Sequence, residues 1–184
     1  MKVKTNPIFD NKIKIGFFCD ATRRFTRQEY LNMNTLLTNL NNDAYSIVYD
    51  GGKDGIMGQV GELAIKNNFS LYAMNYTLFK DREYPEAHVT LYDDFISREK
   101  ALISVTDIAI VLPGRDGTLM ELFWLSSSND NHKFNNKISK KIIIWNIDGY
   151  YNQLIHFLNS IEIVSIIICN TYQEILNAII RTHE

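Results

Sequence analysis

Short apolar runs alternate along this chain with amphipathic stretches of helical period. Residues Lys12 to Cys19 (Lys-Ile-Lys-Ile-Gly-Phe-Phe-Cys) alternate polar with apolar and then turn wholly apolar, as a strand entering the core of a sheet does. After Asp20-Ala21-Thr22, the segment Thr26-Arg27-Gln28-Glu29 has the form of a capping box. Tyr30, Met33, Leu37 and Leu40 follow at helical spacing, which predicts a helix over about 27–41. Asn41-Asn42-Asp43 breaks it, and Ala44 to Tyr49 reads as a second strand. Ile56, Val60, Leu63 and Ala64 supply a second helical face, Ser70 to Met74 a third strand, and Val89 to Tyr92 a short further strand after an irregular region. Asp93 or Asp94 caps a helix carrying Phe95, Leu102 and Ile103, with Arg98 near its start.

The same alternation continues to the end of the chain. Asp107 to Leu112 is a β-branched run that stops at Pro113, and a helix is predicted over 118–128. Ser126 to Lys137 is polar and reads as a surface loop. Lys141 to Asn146 is a strand, followed by a helix with Tyr151, Leu154, Ile155 and Leu158 on one side. Val164 to Cys169 is the last strand, and Thr171 to Glu174 is a capping box opening a helix with Ile175, Leu176, Ile179 and Ile180. Strands alternating with helices point to a Rossmann-like three-layer α/β domain, with a mostly parallel sheet flanked by helices on both faces. Ligands then sit at the carboxyl ends of the strands.

Composition narrows this picture. The 184 residues suit a single domain over 1–184. Apolar residues make up 46% and charged residues 22%, with a net charge of −2, so nothing favours a nucleic-acid polymer as partner. The N-terminal stretch lacks the apolar region of a signal peptide, and no apolar run reaches the length of a membrane span, so a cytoplasmic protein without membrane contact is expected. Cys19 and Cys169 each end an apolar run and are expected to be buried and reduced. The four histidines form no ligand spacing with each other or with the cysteines, so no metal and no cofactor is expected.

Two glycine-rich strand-to-helix turns carry the candidate chemistry. One is Asp50-Gly51-Gly52-Lys53-Asp54-Gly55-Ile56-Met57-Gly58, where glycines permit close approach of backbone to ligand. The other is Leu112-Pro113-Gly114-Arg115-Asp116-Gly117-Thr118, which feeds a helix whose free N–H groups and dipole suit an anion such as phosphate. Glu121 lies one turn inside that helix, placed to act on what the loop holds or simply to compensate the dipole. Physical reasoning alone stops at an α/β protein for a phosphorylated ligand, because neither turn is a P-loop or a G-x-G-x-x-G fingerprint.

The turns and their surroundings resemble the Lonely Guy family, phosphoribohydrolases that release cytokinin bases from nucleoside monophosphates and were formerly labelled possible lysine decarboxylases. The family's G-G-G-x-x-G-x-M-G is matched by Asp50 to Gly58, and its P-G-G-x-G-T-x-E-E by Pro113-Gly114-Arg115-Asp116-Gly117-Thr118-Leu119-Met120-Glu121. Its F-C-G-S-S is loosely matched by Phe18-Cys19-Asp20-Ala21-Thr22, and its N-V-D-G-Y-Y by Asn146-Ile147-Asp148-Gly149-Tyr150-Tyr151. The resemblance implies a hydrolase that splits the N-glycosidic bond of a nucleoside 5′-monophosphate substrate, working as a homodimer. It implies Arg98 and Glu121, 23 positions apart, as the catalytic pair. The 5′-phosphate would rest on Gly114, Arg115, Asp116, Gly117 and Thr118. Base and ribose would meet Asp20, Thr22, Gly51, Gly52, Met57, Glu99, Met120 and Ser127.

Four departures from the family pattern touch that site: Asp50 and Arg115 in place of glycines, Glu99 in place of Lys, and Met120 in place of Glu. Arg115 reads either as an added phosphate contact or as a surface side chain. Asp20 reads either as an acceptor for an exocyclic amine or as a turn aspartate bonding its own backbone. The departures keep two alternatives open: a nucleotide-binding or sensing domain with reduced or no turnover, and an enzyme like the nucleoside deoxyribosyltransferases that moves a base between sugars.

Overall fold

The computed structural model describes residues 8–134, 139–163 and 165–181. Seven strands form one parallel sheet: β1 (Ile13–Phe18), β2 (Tyr45–Tyr49), β3 (Leu71–Tyr76), β4 (His88–Tyr92), β5 (Ile108–Val111), β6 (Lys141–Trp145) and β7 (Ile166–Cys169). Their order across the sheet is β4-β3-β2-β1-β5-β6-β7. Strand β1 is central, with Ile15 facing Ile47 of β2 on one side and Ile108 of β5 on the other. The chain reverses its direction of growth between β1 and β5, and in open α/β sheets the crevice at such a switch point receives the ligand.

Side-chain alternation divides the core into two halves. Ile15 and Phe17 of β1, Ile47 and Tyr49 of β2, and Ile110 of β5 pack under α1 (Arg27–Thr38), α2 (Gly55–Lys66) and α6 (Tyr172–Ile180). Phe18, Val48, Ala109 and Val111 point the other way, against α3 (Phe95–Val105), α4 (Asp116–Phe134) and α5 (Asn152–Ser160). Strands buried on both faces have to be apolar nearly throughout, which is why β2, β5 and β6 read as continuous apolar runs. Both cysteines are free and buried. Among the described residues, no helix is long and apolar enough to cross a membrane.

Helix starts follow the local signals. Thr26 accepts from the Glu29 amide at 3.3 Å while the Glu29 carboxylate accepts from the Thr26 amide at 2.6 Å, a complete capping box. Of the two candidate caps for α3, Asp94 is the one used, accepting from the Ser97 amide at 2.8 Å. One element differs from expectation. The polar stretch after Ser126 continues α4 as far as Phe134, and residues 135–137 of the expected loop lie outside the described residues. Ser126 and Asn129 are buried, and the Asn129 amide holds the Lys140 backbone through bonds of 2.7 and 2.8 Å. These tertiary partners override the weak helix preference of Ser and Asn.

The β2–α2 turn is held at close quarters. Gly58 donates to the Asp54 carbonyl at 2.8 Å, and a Cβ built on it would lie 1.9 Å from the Lys53 carbonyl oxygen. Gly58→Ala therefore forces the turn open, with an expected loss of about 1–3 kcal/mol of stability. Urea denaturation checks this, and an unchanged midpoint would show that the turn can relax.

Candidate functional site

The carboxyl ends of β1, β2 and β5 and the first turn of α3 enclose a cavity of about 180 Å³ at the switch point. Cys19, Asp20 and Ala21 leave β1, Asp50 leaves β2, Met57 lies on α2, and Arg115 to Thr118 with Glu121 form the start of α4. Phe95, Arg98 and Glu99 come from α3. A second lobe of about 200 Å³ shares Ala21, Asp50, Met57, Phe95 and Arg98 and extends toward Gly52, Asn75, Tyr76 and Phe79.

The β5–α4 turn presents backbone donors. The first amide bonded within α4 is that of Leu119, to the Arg115 carbonyl at 2.9 Å, so the amides of Asp116, Gly117 and Thr118 precede the helical ladder. A Cβ on Gly117 would meet nothing within 4 Å, which leaves this side of the turn open. Gly114 does not line the cavity. It forms the wall behind Thr118, whose hydroxyl oxygen would lie 2.1 Å from a Cβ there, and its carbonyl accepts from the Tyr150 hydroxyl at 3.1 Å.

A buried charge cluster lies beside this turn. Arg98 Nη1 pairs with Asp50 Oδ1 at 2.6 Å, Arg98 Nη2 donates to Glu99 Oε1, and the guanidinium lies over the Phe95 ring, 5.3 Å from its centroid. Glu99 is completely buried and Glu121 is 2% exposed. Three carboxyl groups thus share one guanidinium, and the cluster approaches neutrality by holding protons. Burial, followed by the charges of Asp50 and Glu99, pushes the Glu121 carboxyl well above its ordinary range against the opposing pull of Arg98. Burial and Asp50 raise Glu99 to about 7. Burial also raises Asp50, with Arg98 opposing. For Arg98 itself, burial works against the charge, but Asp50, Glu99 and Glu121 outweigh it and it stays protonated. The Cys19 thiol is raised by burial and by nearby carboxylates, so it is no nucleophile at neutral pH.

One oxygen each of Asp50, Glu99 and Glu121 lies within 4.8 Å of the others, a spacing a hard cation could use. The Arg98 guanidinium already serves as counter-ion to Asp50 and Glu99, so the cluster is read as holding arginine and protons rather than a metal.

Of the residues expected to bind phosphate, Arg115, Asp116, Gly117 and Thr118 line the cavity. Arg115 Nε lies 3.2 Å from Asp20 Oδ2, with its own side chain 64% exposed, so it reaches over the mouth of the cavity. Asp20 accepts from the amide and hydroxyl of Thr22 at 2.6 and 2.8 Å, the bonding of a turn aspartate, while still facing the cavity. Burial would raise its carboxyl, but the Thr22 bonds and Arg115 bring it below the usual range. Of the residues expected to meet base and ribose, Asp20, Gly52, Met57 and Glu99 line the two lobes.

Besides Gly114, four of the expected base and ribose contacts do not line these lobes. Thr22 is exposed and its hydroxyl is committed to Asp20. Gly51, at φ 98°, packs behind the loop, where a Cβ would lie 3.0 Å from that of Asn75. Met120 is half-buried and Ser127 exposed, because the helical period turns both away from the face that carries Thr118 and Glu121. Asp50 is the residue that sequence reasoning missed. Its signal was an acid where the family pattern opens with glycine.

Comparison with known proteins agrees with this architecture. The molybdenum cofactor binding protein of the phototrophic bacterium Rippkaea orientalis matches at TM-score 0.71 and 16% identity, over 95% of this chain and 99% of that one. The molybdenum cofactor carrier protein of Chlamydomonas reinhardtii matches at TM-score 0.74 and 10% identity, over 93% and 98%. DNA processing protein A of Streptococcus pneumoniae matches at TM-score 0.57 and 15% identity, over 90% of this chain and 61% of that one. At these identities the likeness speaks to the fold alone. No curated protein matches the chain in sequence. The profile of the family described as "Possible lysine decarboxylase" matches residues 57–183, which include α3, the β5–α4 turn and the α4 start that carries Glu121. The chain therefore belongs to the possible lysine decarboxylase family, known also as the Lonely Guy family.

Proposed function

We propose that this protein hydrolyses the N-glycosidic bond of a nucleoside 5′-monophosphate, releasing a free base and ribose 5-phosphate. The observation that carries the proposal is the convergence of Arg98 and Glu121, from two different helices, beside an open glycine turn at a helix N-terminus. The phosphate rests on the amides of Asp116, Gly117 and Thr118, with Arg115 moving from Asp20 to the phosphate. That contact sets the ribose over Glu121, and the base extends past Asp50 into the second lobe, between Met57 and Phe95.

Cleavage of such a bond passes through a ribose with oxocarbenium character. The Glu121 carboxylate stabilises that positive charge and takes a proton from the attacking water, while Arg98 holds the surrounding carboxyl groups in place. Met120 lies outside the cavity, so the loss of the family's Glu there removes no carboxylate from this chain's own cavity.

A second reading is a nucleotide-binding protein without turnover. It is favoured by one observation: Asp50 and Glu99 already engage Arg98. Incubating the pure protein with purine, pyrimidine and prenyl-adenine monophosphates and chromatographing the free base separates the two. Release of base from any of them supports hydrolysis. Tight binding by folded protein with no base released overturns it in favour of the second reading, and release only when an acceptor base is added indicates transfer.

A further inference from the structure

Glu99 stands where the family pattern has Lys, and it is the most deeply buried acid of the site, with no exposed surface. A buried carboxylate is costly unless it is paired. Its Oε1 is bonded to Arg98, whereas its Oε2 is buried without a hydrogen-bond partner. The Glu121 carboxyl, from the neighbouring helix, has an oxygen within 4.8 Å of one of Glu99.

We propose that Glu99 is a positioning residue that anchors Arg98 and shares a single proton with Glu121, so that the pair carries one negative charge beside the bound ribose. This inference rests on the hydrolysis proposed above. Every charged or titratable group around the pair bears on it. Arg98 lies on the same helix as Glu99, Asp50 comes from the end of β2, Cys19 and Asp20 from the end of β1, and Asp116 from the start of α4, with Arg115 pairing to Asp20 from the β5–α4 turn. Arg98 is the cation of the cluster, and its charge cannot neutralise all three acids.

The proton moves from oxygen to oxygen: the O–H bond of Glu121 breaks as that of Glu99 forms, and the negative charge crosses the other way. Water then adds hydroxide to C1′ and gives its proton to the Glu121 carboxylate. The electron pair of the broken C1′–N bond leaves with the base, which takes up that same proton. The pair ends with the one proton it began with. Two acids interacting this closely titrate as a unit in two steps rather than as separate groups.

The test is a carbon-13 NMR titration of the protein labelled at glutamate carboxyl carbons, with Glu99→Gln and Glu121→Gln used to assign the signals. Gln keeps the size of Glu and can still accept from Arg98. Glu99 and Glu121 are expected to move together through two common steps in the unaltered protein. In Glu99→Gln, Glu121 is expected to titrate in one step, lower by about one unit or more. The pH profile of kcat then passes from a bell to a single acid limb.

Glu99 titrating alone in one step, unmoved by Glu121→Gln, would overturn the proposal. So would magnesium alone displacing the shared proton, which would make the cluster a cation site. The titration is read without substrate. A coupled titration without base release therefore removes the hydrolytic reading and leaves the proton pair. Base release with independent titrations does the reverse.

Discussion

Glu121→Gln is expected to lower kcat for base release by about 10²–10⁴-fold while leaving KM nearly unchanged. Gln has the shape of Glu but cannot accept the proton of the attacking water, and it offers no full negative charge to the ribose as positive charge develops there. The proposed phosphate contacts lie a turn away, on Asp116 to Thr118 of the cavity lining, and are untouched by the change. A group needed only in the transition state shows itself as a fall in kcat without a rise in KM. The fold should survive, because Glu121 is 2% exposed and the exchange removes an acid that burial already disfavours as an anion. Initial rates of base release across substrate concentration, on protein of unchanged thermal midpoint, make the measurement. Full kcat in this variant would remove Glu121 from the chemistry.

Arg98→Ala is expected to cost about 3–5 kcal/mol of stability near pH 8, together with all measurable base release. The guanidinium pairs with Asp50 at 2.6 Å and with Glu99, and its side chain is 10% exposed, so little water can replace it. The loss depends on pH, and its sign follows from the acids left behind. In the folded protein Glu99 is raised from its ordinary 4.5 to about 7, and Glu121 and Asp50 are raised too. The folded state therefore binds protons more tightly than the unfolded chain. Stability from the two glutamates is fully present below about 4.5, and from Asp50 below about 3.8, and is lost as pH rises through their folded values. Removing Arg98 raises those values further, so the variant suffers least in acid and most in base. Urea denaturation at pH 5 and pH 8 should show the larger deficit at pH 8. An equal deficit at both would mean that Arg98 is held by packing against Phe95 rather than by charge. Arg98→Lys tests the fork: it keeps the charge but not the paired geometry to Asp50 and Glu99.

Most of the fold was legible along the chain because its signals are local. Alternating and continuous apolar runs marked all the strands, and the capping threonines Thr26 and Thr171 marked two helix starts that the structure keeps. The end of α4 was not legible. Past residue 128 the polar stretch carries no helical signal of its own, and a bond from Asn129 to Lys140 supports the helix beyond its expected end. The resemblance placed Arg98 and Glu121 in one site, but local pattern says nothing of which side chains of a loop turn inward. Gly51, Thr22 and Met120 share motifs with residues that line the cavity, and Ser127 shares the helix of Glu121, yet backbone direction or helical period places them elsewhere.

By itself, the sequence determined the alternating α/β layout and the two glycine turns at strand ends, because apolar period and the backbone freedom of glycine act over a few residues. Only the tertiary structure decided which charges meet. Asp50, Arg98 with Glu99, and Glu121 come from three elements separated by dozens of residues, and the order of strands in the sheet brings them to one switch point. Their protonation follows from burial and from distances of a few ångströms, because charge interactions strengthen as water is excluded. That is why Glu99, which the resemblance offers only as a base or ribose contact departing from the family's Lys, becomes in the folded protein a partner for both Arg98 and Glu121.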